Sequence, residues 1–363
     1  MPASAKRILI APLDWGLGHT TRCIPIIRLL QSLGHKILFA GDAGQQAFIR
    51  QSLSEIDIHF LEGYRVRYSQ RFLMFTLIWQ LPRLIRVIRK EHRWLEGIVI
   101  QEKIDGIISD NRYGLWLKKR PSIIITHQPG IVTGLGTWVD KLIRRIHYRY
   151  LNRFGQIWIP DIPGYENLAG KLSHPKILPA RARYIGLLSQ FNSEKQKAAG
   201  HDGPILILLS GPEPQRTILA DKLWTEAHII QRPIVFVEGK EGVVRKDIPP
   251  HIQHISLANA AQLQPLLEKA VLVICRSGYS TLMDLVVLGK KAVLIPTRRQ
   301  TEQEYLAASL SERGIFNAAS QSDIRLKEII ALAEGGSTVG LDSISDNKSD
   351  LLMPVLQEWL RML

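Results

Sequence analysis

At 363 residues, with 45% hydrophobic and 22% charged residues, the chain has the length of two globular domains. Its two cysteines, Cys23 and Cys275, lie far apart without metal-ligand spacing, and no apolar run reaches the ~18–20 residues of a membrane span, which excludes a disulfide scaffold, a zinc module and a helical membrane protein. The net charge of +14 belongs to one half: residues 1–190 hold 28 Lys and Arg against 13 Asp and Glu, while residues 191–363 hold 19 against 20.

An acidic partner is therefore expected of the first half alone: anionic lipid, a pyrophosphate-linked acceptor or nucleic acid. The opening MPASAKRILIAP enters a strand with no signal-peptide layout. The expected location is cytoplasmic, peripheral on the inner face of a membrane.

Arg7 to Ala11 reads as a buried strand, and Arg22 to Leu33 has helical apolar spacing in Cys23, Ile26, Ile27 and Leu30. In the loop between them, Gly16 and Gly18 permit tight turning and close backbone approach to a ligand. His19, just before the helix, can project into the crevice beyond the strand ends. Lys36 to Ala40 is the next strand, followed by Asp42. An acid about 20 residues after a glycine loop is half of a dinucleotide fingerprint, but Thr21 stands where the third glycine belongs, so an NAD enzyme is the weaker reading.

Tyr64 to Trp94 sets Arg65, Arg67, Arg71, Arg83, Arg86, Arg89, Lys90 and Arg93 against one acid, Glu91. Leu84, Ile85, Ile88 and Leu95 keep helical spacing, and Phe72 to Trp79 is an apolar patch. The segment reads either as an interfacial helix on an anionic membrane or as a core helix with a solvated basic face. Ile104 to Ser109 is a buried strand ending in Asp110, and Ser122 to Thr126 is another, ending in His127. In a parallel sheet both ends line the crevice of His19. Asp110 either orients that histidine or caps its own turn. Val139 to Leu151 repeats the basic amphipathic theme, with Val139, Leu142, Ile143, Ile146 and Tyr150 on one side and Lys141, Arg144, Arg145 and Arg149 elsewhere.

The polar stretch Ser193 to Gly203 reads as the linker between a first domain at 1–190 and a second at 204–345. Ile205 to Leu209 is a strand. In the loop after it, Ser210 and Gly211 allow a phosphate close to the backbone and Arg216 offers charge. Val271 to Cys275 is another strand, turning through Arg276, Ser277 and Gly278 into a helix that runs to Gly289. Unpaired backbone N–H groups and the helix dipole make such a helix start a seat for phosphate. Asp284, one turn in, can accept from vicinal hydroxyls such as those of a ribose. Leu351 to Leu363 is helical in pattern.

The stretch from Cys275 to Ala308 resembles the donor-binding motif of GT-B nucleotide-sugar glycosyltransferases, closest to the MurG-like group and the related glycolipid synthases. Cys275, Arg276, Ser277, Gly278, Thr281, Asp284, Gly289, Pro296 and Gln303 carry the likeness. The family usually has Glu at Asp284 and a second Gln at Glu304. Its Gly-Gly-His loop matches Leu17-Gly18-His19 with one substitution, its His-Glu-Gln stands here as Thr126-His127-Gln128, and its Gly-Gly-Ser loop falls at Ser210-Gly211.

The resemblance implies an α/β GT-B fold, two Rossmann-like doubly wound domains facing across a cleft, with the C-terminal helix packing back on the first. It implies inverting transfer of a sugar from a UDP-sugar to a hydroxyl of a lipid-linked or cell-envelope acceptor. His19 would be the base and Asp110 its orienting partner, with Gly16, Gly18 and His127 near the acceptor. Ser210, Gly211, Arg216, Arg276, Ser277 and Gly278 would hold the diphosphate, Asp284 the ribose, and Gln303 with Glu304 the sugar, with Thr281 also among the donor-binding residues. No metal or cofactor is implied, since there is no Asp-x-Asp motif and helix ends can neutralise the diphosphate. Two alternatives share the donor residues: a non-hydrolysing UDP-sugar epimerase and a non-catalytic nucleotide-sugar-binding subunit. Nucleic-acid binding would explain the charge but not the motif.

Overall fold

The computed structural model describes residues 5–53, 55–64, 73–131, 136–191, 203–322, 324–335, 341, 344 and 351–363. Within a helix, the side chains of residues 73–81 and 137 are also outside the description. The chain forms two compact units, Met1–Leu188 with Ser349–Leu363, and Ser189–Lys348. Of the basic stretch, Arg65, Arg67, Arg71 and Phe72 lie outside the described residues, as does most of the linker.

The first unit is built on β1 (Arg7–Pro12), β2 (Lys36–Gly41), β3 (Asp57–Phe60), β4 (Gly106–Asp110), β5 (Ser122–Ile125), β6 (Gln156–Ile159) and β7 (Ala182–Tyr184). They form one parallel sheet in the order β3-β2-β1-β4-β5-β6-β7. Helices α1 (Gly18–Ser32), α2 (Ala43–Ser52), α3 (Leu73–Gln101) and α4 (Thr137–Leu151) connect the strands. Ile8, Leu9 and Ile10 are all fully buried. A strand covered on both faces reads as a continuous apolar run, which is why β1 shows no alternation. Strand order reverses between β1 and β4, where Pro12 pairs with Asp110, and doubly wound sheets open their ligand crevice at such a switch.

Three helices differ from the sequence pattern in informative ways. Helix α1 starts at Gly18, four residues before the apolar periodicity does, so His19 is inside its first turn. Helix α2 is N-capped by Asp42, whose carboxylate accepts from the Gln45 amide at 2.9 Å in a reciprocal capping box. The acid that an NAD site would need for a ribose is thus spent on a cap. In α3, Ile88, Leu95, Ile98 and Val99 are buried while Arg83, Arg86, Arg89, Lys90 and Arg93 are exposed. That part of α3 is a core helix with a solvated basic face. Glu91 does not belong to that face: it is buried and accepts from Tyr64 Oη at 2.7 Å and Arg112 Nη1 at 2.8 Å.

The second unit repeats the plan with β8 (Ile205–Leu208), β9 (Ile234–Val237), β10 (Ile252–Ile255), β11 (Leu272–Cys275), β12 (Ala292–Leu294) and β13 (Asn317–Ala318). The order is β10-β9-β8-β11-β12-β13, again parallel. Helices α5 (Gln215–Ala227), α6 (Ala260–Lys269), α7 (Tyr279–Val287), α8 (Thr301–Glu312) and α9 (Leu326–Gly335) surround it. The switch lies between β8 and β11, the strands that feed the Ser210–Gly211 and Ser277–Gly278 turns.

The last helix, α10 (Leu352–Leu360), belongs to the first unit. Its Trp359 meets Trp158 edge-on with centroids 6.2 Å apart. Gly106 leaves room for it, since a Cβ there would come within 2.7 Å of the indole. Among the described residues no helix is long and apolar enough to cross a membrane.

Candidate active site

In the first unit the switch point gathers four side chains from three elements. His19 comes from the first turn of α1, Arg22 from one turn further along the same face, Asp110 from the end of β4, and His127 from just beyond β5. Asp110 Oδ1 lies 3.1 Å from His19 Nδ1. The Arg22 guanidinium grips both carboxylate oxygens, Nε to Oδ2 and Nη2 to Oδ1. It also reaches His19 Nδ1 at 2.8 Å and His127 Nδ1 at 3.1 Å. The Cys23 thiol borders Asp110 Oδ2 at 3.9 Å. Asp110 therefore does not cap its own turn. Ser109 Oγ does so, accepting from the Arg112 amide at 3.1 Å and donating to its carbonyl at 2.6 Å.

Burial pushes the Asp110 carboxyl up, but the Arg22 charge and His19 outweigh it and hold the pKa at about 2. Asp110 is thus an anion throughout the working range. Burial, then the Arg22 charge, lowers the His19 pKa below its ordinary value, against the pull of Asp110. The imidazole is neutral near pH 7 and able to take a proton. The side chain of Asp110 is 0% exposed and that of Arg22 1%, whereas that of His19 keeps 14%. His19 is the outward member of the group.

Nδ1 of His19 faces one acceptor and one donor. With its proton on Nδ1, the ring donates to Asp110 and leaves the Nε2 lone pair free. With Nδ1 bare, it accepts from Arg22 and carries its proton on Nε2. Only the first tautomer can act as a base through Nε2. A second buried web, Arg112 with Glu91 and Tyr64, braces this end of the sheet. Arg112 Nε donates to the Pro12 carbonyl at 2.7 Å, tying the end of β1 to the turn after Asp110. Gly16 precedes the helix with φ of 74°, a conformation that glycine adopts without strain, whereas Gly18 is already helical.

In the second unit, Gly211 turns the chain after β8 with φ of 104°. Gly278 is the N-cap of α7, where no side chain caps the helix and a Cβ would meet nothing within 4 Å. The open space beside Gly278 leaves the backbone at this helix start approachable by a phosphate. Ser277 is buried and gives its Oγ to the Gln303 carbonyl at 2.8 Å. Gln303 in turn accepts from the Thr297 amide at 2.9 Å, which fastens the loop after β12. Glu304 accepts from the Arg299 amide at 2.7 Å and, with Pro296, Arg298 and Gln321, lines a cavity of about 500 Å³. Thr281 is half-buried on α7.

The two arginines expected on the diphosphate face inward. Arg276 is 1% exposed and donates to the carbonyls of Ile295, Pro296 and Gln215 and to Gln321 Oε1. Arg216 is buried, donating to the Glu238 carbonyl at 2.9 Å and to Glu213. Both guanidinium groups are engaged within their own unit, Arg276 by carbonyls and Gln321 and Arg216 by the Glu238 carbonyl and Glu213. Asp284, half-buried on α7, accepts from Ser189 Oγ at 2.6 Å and is also bonded by Gln190. Burial raises its pKa to about 7 against those bonds. Among the described residues no three His, Cys, Asp or Glu side chains are grouped to hold a metal.

Residues 231–335 match the glycosyltransferase family 28 C-terminal domain. The chain has the GT-B fold, and its second unit carries the match to the family 28 C-terminal domain. It is 22% identical over 345 residues to the UDP-N-acetylglucosamine–N-acetylmuramyl-(pentapeptide) pyrophosphoryl-undecaprenol N-acetylglucosamine transferase of Pasteurella multocida, covering 92% of this chain and 89% of that one. Among solved structures, the glycotransferase of kitacinnamycin superposes with a TM-score of 0.68 at 15% identity, over 99% of this chain and all of the other. The MurG of Acinetobacter baumannii superposes at 0.58 and 15%, over 98% and 99%. The GT-B fold is the one expected from the Cys275–Ala308 stretch.

Arg22 carries no motif and was not foreseen; its spacing of three residues from His19 on one helix is the signal that could have found it. Ser189 and Gln190, the partners of Asp284, carry no sequence signal.

Proposed function

We propose that the protein is a glycosyltransferase that moves a sugar, with inversion, from a UDP-sugar to a hydroxyl of a lipid-linked acceptor, with His19 as general base. The observation that carries the reading is the contact of a neutral, outward His19 with an anionic Asp110 through Nδ1. The acceptor O–H gives its proton to Nε2 while its oxygen attacks the anomeric carbon. The bond from that carbon to the diphosphate oxygen breaks, and UDP leaves. Asp110 stabilises the imidazolium so formed. Arg22 keeps Asp110 ionised and fixed in orientation.

The donor residues assigned to the second unit are the backbone at Ser210, Gly211 and Gly278 with the dipole of α7 for the diphosphate, and Asp284 for the ribose. Arg216, Arg276, Ser277 and Gln303 act by holding those loops in shape, while Glu304 faces the sugar. The UDP-sugar class and the lipid pyrophosphate acceptor class are taken from the name of the Pasteurella enzyme. A carboxylate at Glu304 in place of a glutamine amide favours a sugar that offers donors at that point.

The test is a screen of UDP-sugars with product analysis. Release of free UDP from one of them supports transfer. Conversion of the sugar while it stays attached to UDP would make the protein an epimerase instead.

A further inference from the structure

The loop after β12 holds a buried hydroxyl that the fold leaves unused. Thr297 is 4% exposed, and among the described residues its Oγ1 has no hydrogen-bond partner. Buried polar groups are almost always paired, so an unpaired one calls for a cause. Its backbone is fixed. The Thr297 amide donates to Gln303 Oε1 at 2.9 Å, and its carbonyl accepts from the Gln300 amide at 3.0 Å. The Gln303 carbonyl accepts from Ser277 Oγ at 2.8 Å, which ties Thr297 to the residue before the N-cap of α7. The turn after β8 lies against it as well. Beyond its chain neighbours, a Cβ on Gly211 would meet one described atom within 4 Å, Thr297 Oγ1 at 3.9 Å. The hydroxyl therefore borders the space that the missing side chain leaves.

The charge beside it is unbalanced. Arg276 bonds to the carbonyls of Ile295, Pro296 and Gln215 and to Gln321 Oε1, all neutral groups. Among the described residues no carboxylate pairs with it, and its buried Nε has no partner. Burial alone lowers its pKa, to about 10, so it stays a cation at neutral pH. A buried cation without a counter-charge favours an anion close by. We infer that Thr297 is a further ligand of the donor diphosphate, with Oγ1 donating to a phosphoryl oxygen seated beside Gly211 and Arg276, bonded to the Pro296 carbonyl, supplying the counter-charge. A phosphoryl oxygen answers both features, as an acceptor for the hydroxyl and as negative charge for the guanidinium. A water or a sugar hydroxyl would satisfy the first and not the second. The inference rests on the donor site assigned above, and adds to its backbone contacts a side chain from the loop between β12 and α8.

The test is calorimetric titration of the full chain with UDP, dTDP, GDP and uridine, for the wild type, Thr297→Val and Thr297→Ser. Valine keeps the shape and removes the hydroxyl. Because that hydroxyl is unpaired in the free protein, Thr297→Val should keep or raise the melting temperature. It should bind UDP about ten- to a hundredfold more weakly, the worth of one hydrogen bond to a charged group. Its uridine binding should be unchanged, and Thr297→Ser should bind UDP nearly as the wild type does. Equal UDP binding by the wild type and Thr297→Val, or an equal loss for uridine, would overturn the inference and leave the UDP reading standing. A fall in the melting temperature of Thr297→Val would also overturn it, since the hydroxyl would then be paired in the free protein. Thr297-dependent binding of dTDP or GDP in place of UDP would support the inference and reject the uridine reading alone. A chain that binds none of the three diphosphates would overturn both.

Discussion

Arg22 holds Asp110 by both oxygens while the same carboxylate touches His19, so one buried anion is shared between a permanent cation and a neutral base. The fork fixes the carboxylate plane, and that plane sets where His19 can donate. Replacing Arg22 by Ala leaves a buried carboxylate short of its main partner, and a cost of about 3–5 kcal/mol in urea unfolding is expected. Arg22→Lys keeps the charge but not the fork. It should fold, bind UDP as the wild type does, and turn over more slowly; wild-type turnover would show that the fork is not needed.

His19 and Asp110 should behave as a unit. Asp110→Asn should slow transfer less than His19→Ala, and the double variant should be scarcely slower than His19→Ala alone. Rate losses that simply multiply would show that the two act separately. Because His19 is held below the ordinary value near 6.5, kcat/KM should stay level through neutral pH and fall only on the acid side of about 6.5. A profile still rising above neutral pH would point to another base, with His127 the next candidate.

Asp284 sets a pH dependence of the opposite sign to that of Asp110. Its pKa in the fold, about 7, lies above the ordinary 3.8. The stability it contributes is present below the ordinary value and is lost as pH rises through about 7. Asp110, at about 2, contributes stability present above the ordinary value and lost as pH falls through about 2. Urea midpoints of Asp284→Asn should therefore fall less than those of the wild type between about pH 4 and pH 7. UDP affinity of the wild type should strengthen up to about pH 7 as the carboxylate ionises. A pH-independent UDP affinity would argue against a ribose contact at Asp284.

Trp359 fills the space against Trp158 and Gly106 in the first unit. Trp359→Ala should cost about 3–5 kcal/mol in urea unfolding. Gly106→Ala should also destabilise, because its methyl would press on a rigid indole rather than a flexible side chain. A Gly106→Ala protein as stable as the wild type would show that α10 can shift away.

Much of the fold was legible because parallel strands buried on both faces are uninterrupted apolar runs, as in Ile8–Ile10 and Ile205–Ile207. The turn from Cys275 into α7 was legible because small residues at a helix start have few other uses. Helix starts were less so: Gly18 to Thr21 lack apolar periodicity, yet they are helical. The rotation of α4, which leaves Leu142 and Ile146 exposed, was hidden because its anchors, Tyr113 on His147 and Ile177 on Tyr148, come from distant chain segments. The partners of Arg276 and Arg216 were hidden for the same reason, since backbone carbonyls leave no trace in a residue pattern.

The most direct test of the account is to compare His19→Ala with the wild type in two assays, UDP release from the best UDP-sugar and UDP binding by thermal shift. The rate should be about 10²–10⁴-fold lower with an unchanged UDP shift, because His19 and the proposed donor residues reside on different units. Near-wild-type release by His19→Ala would contradict it.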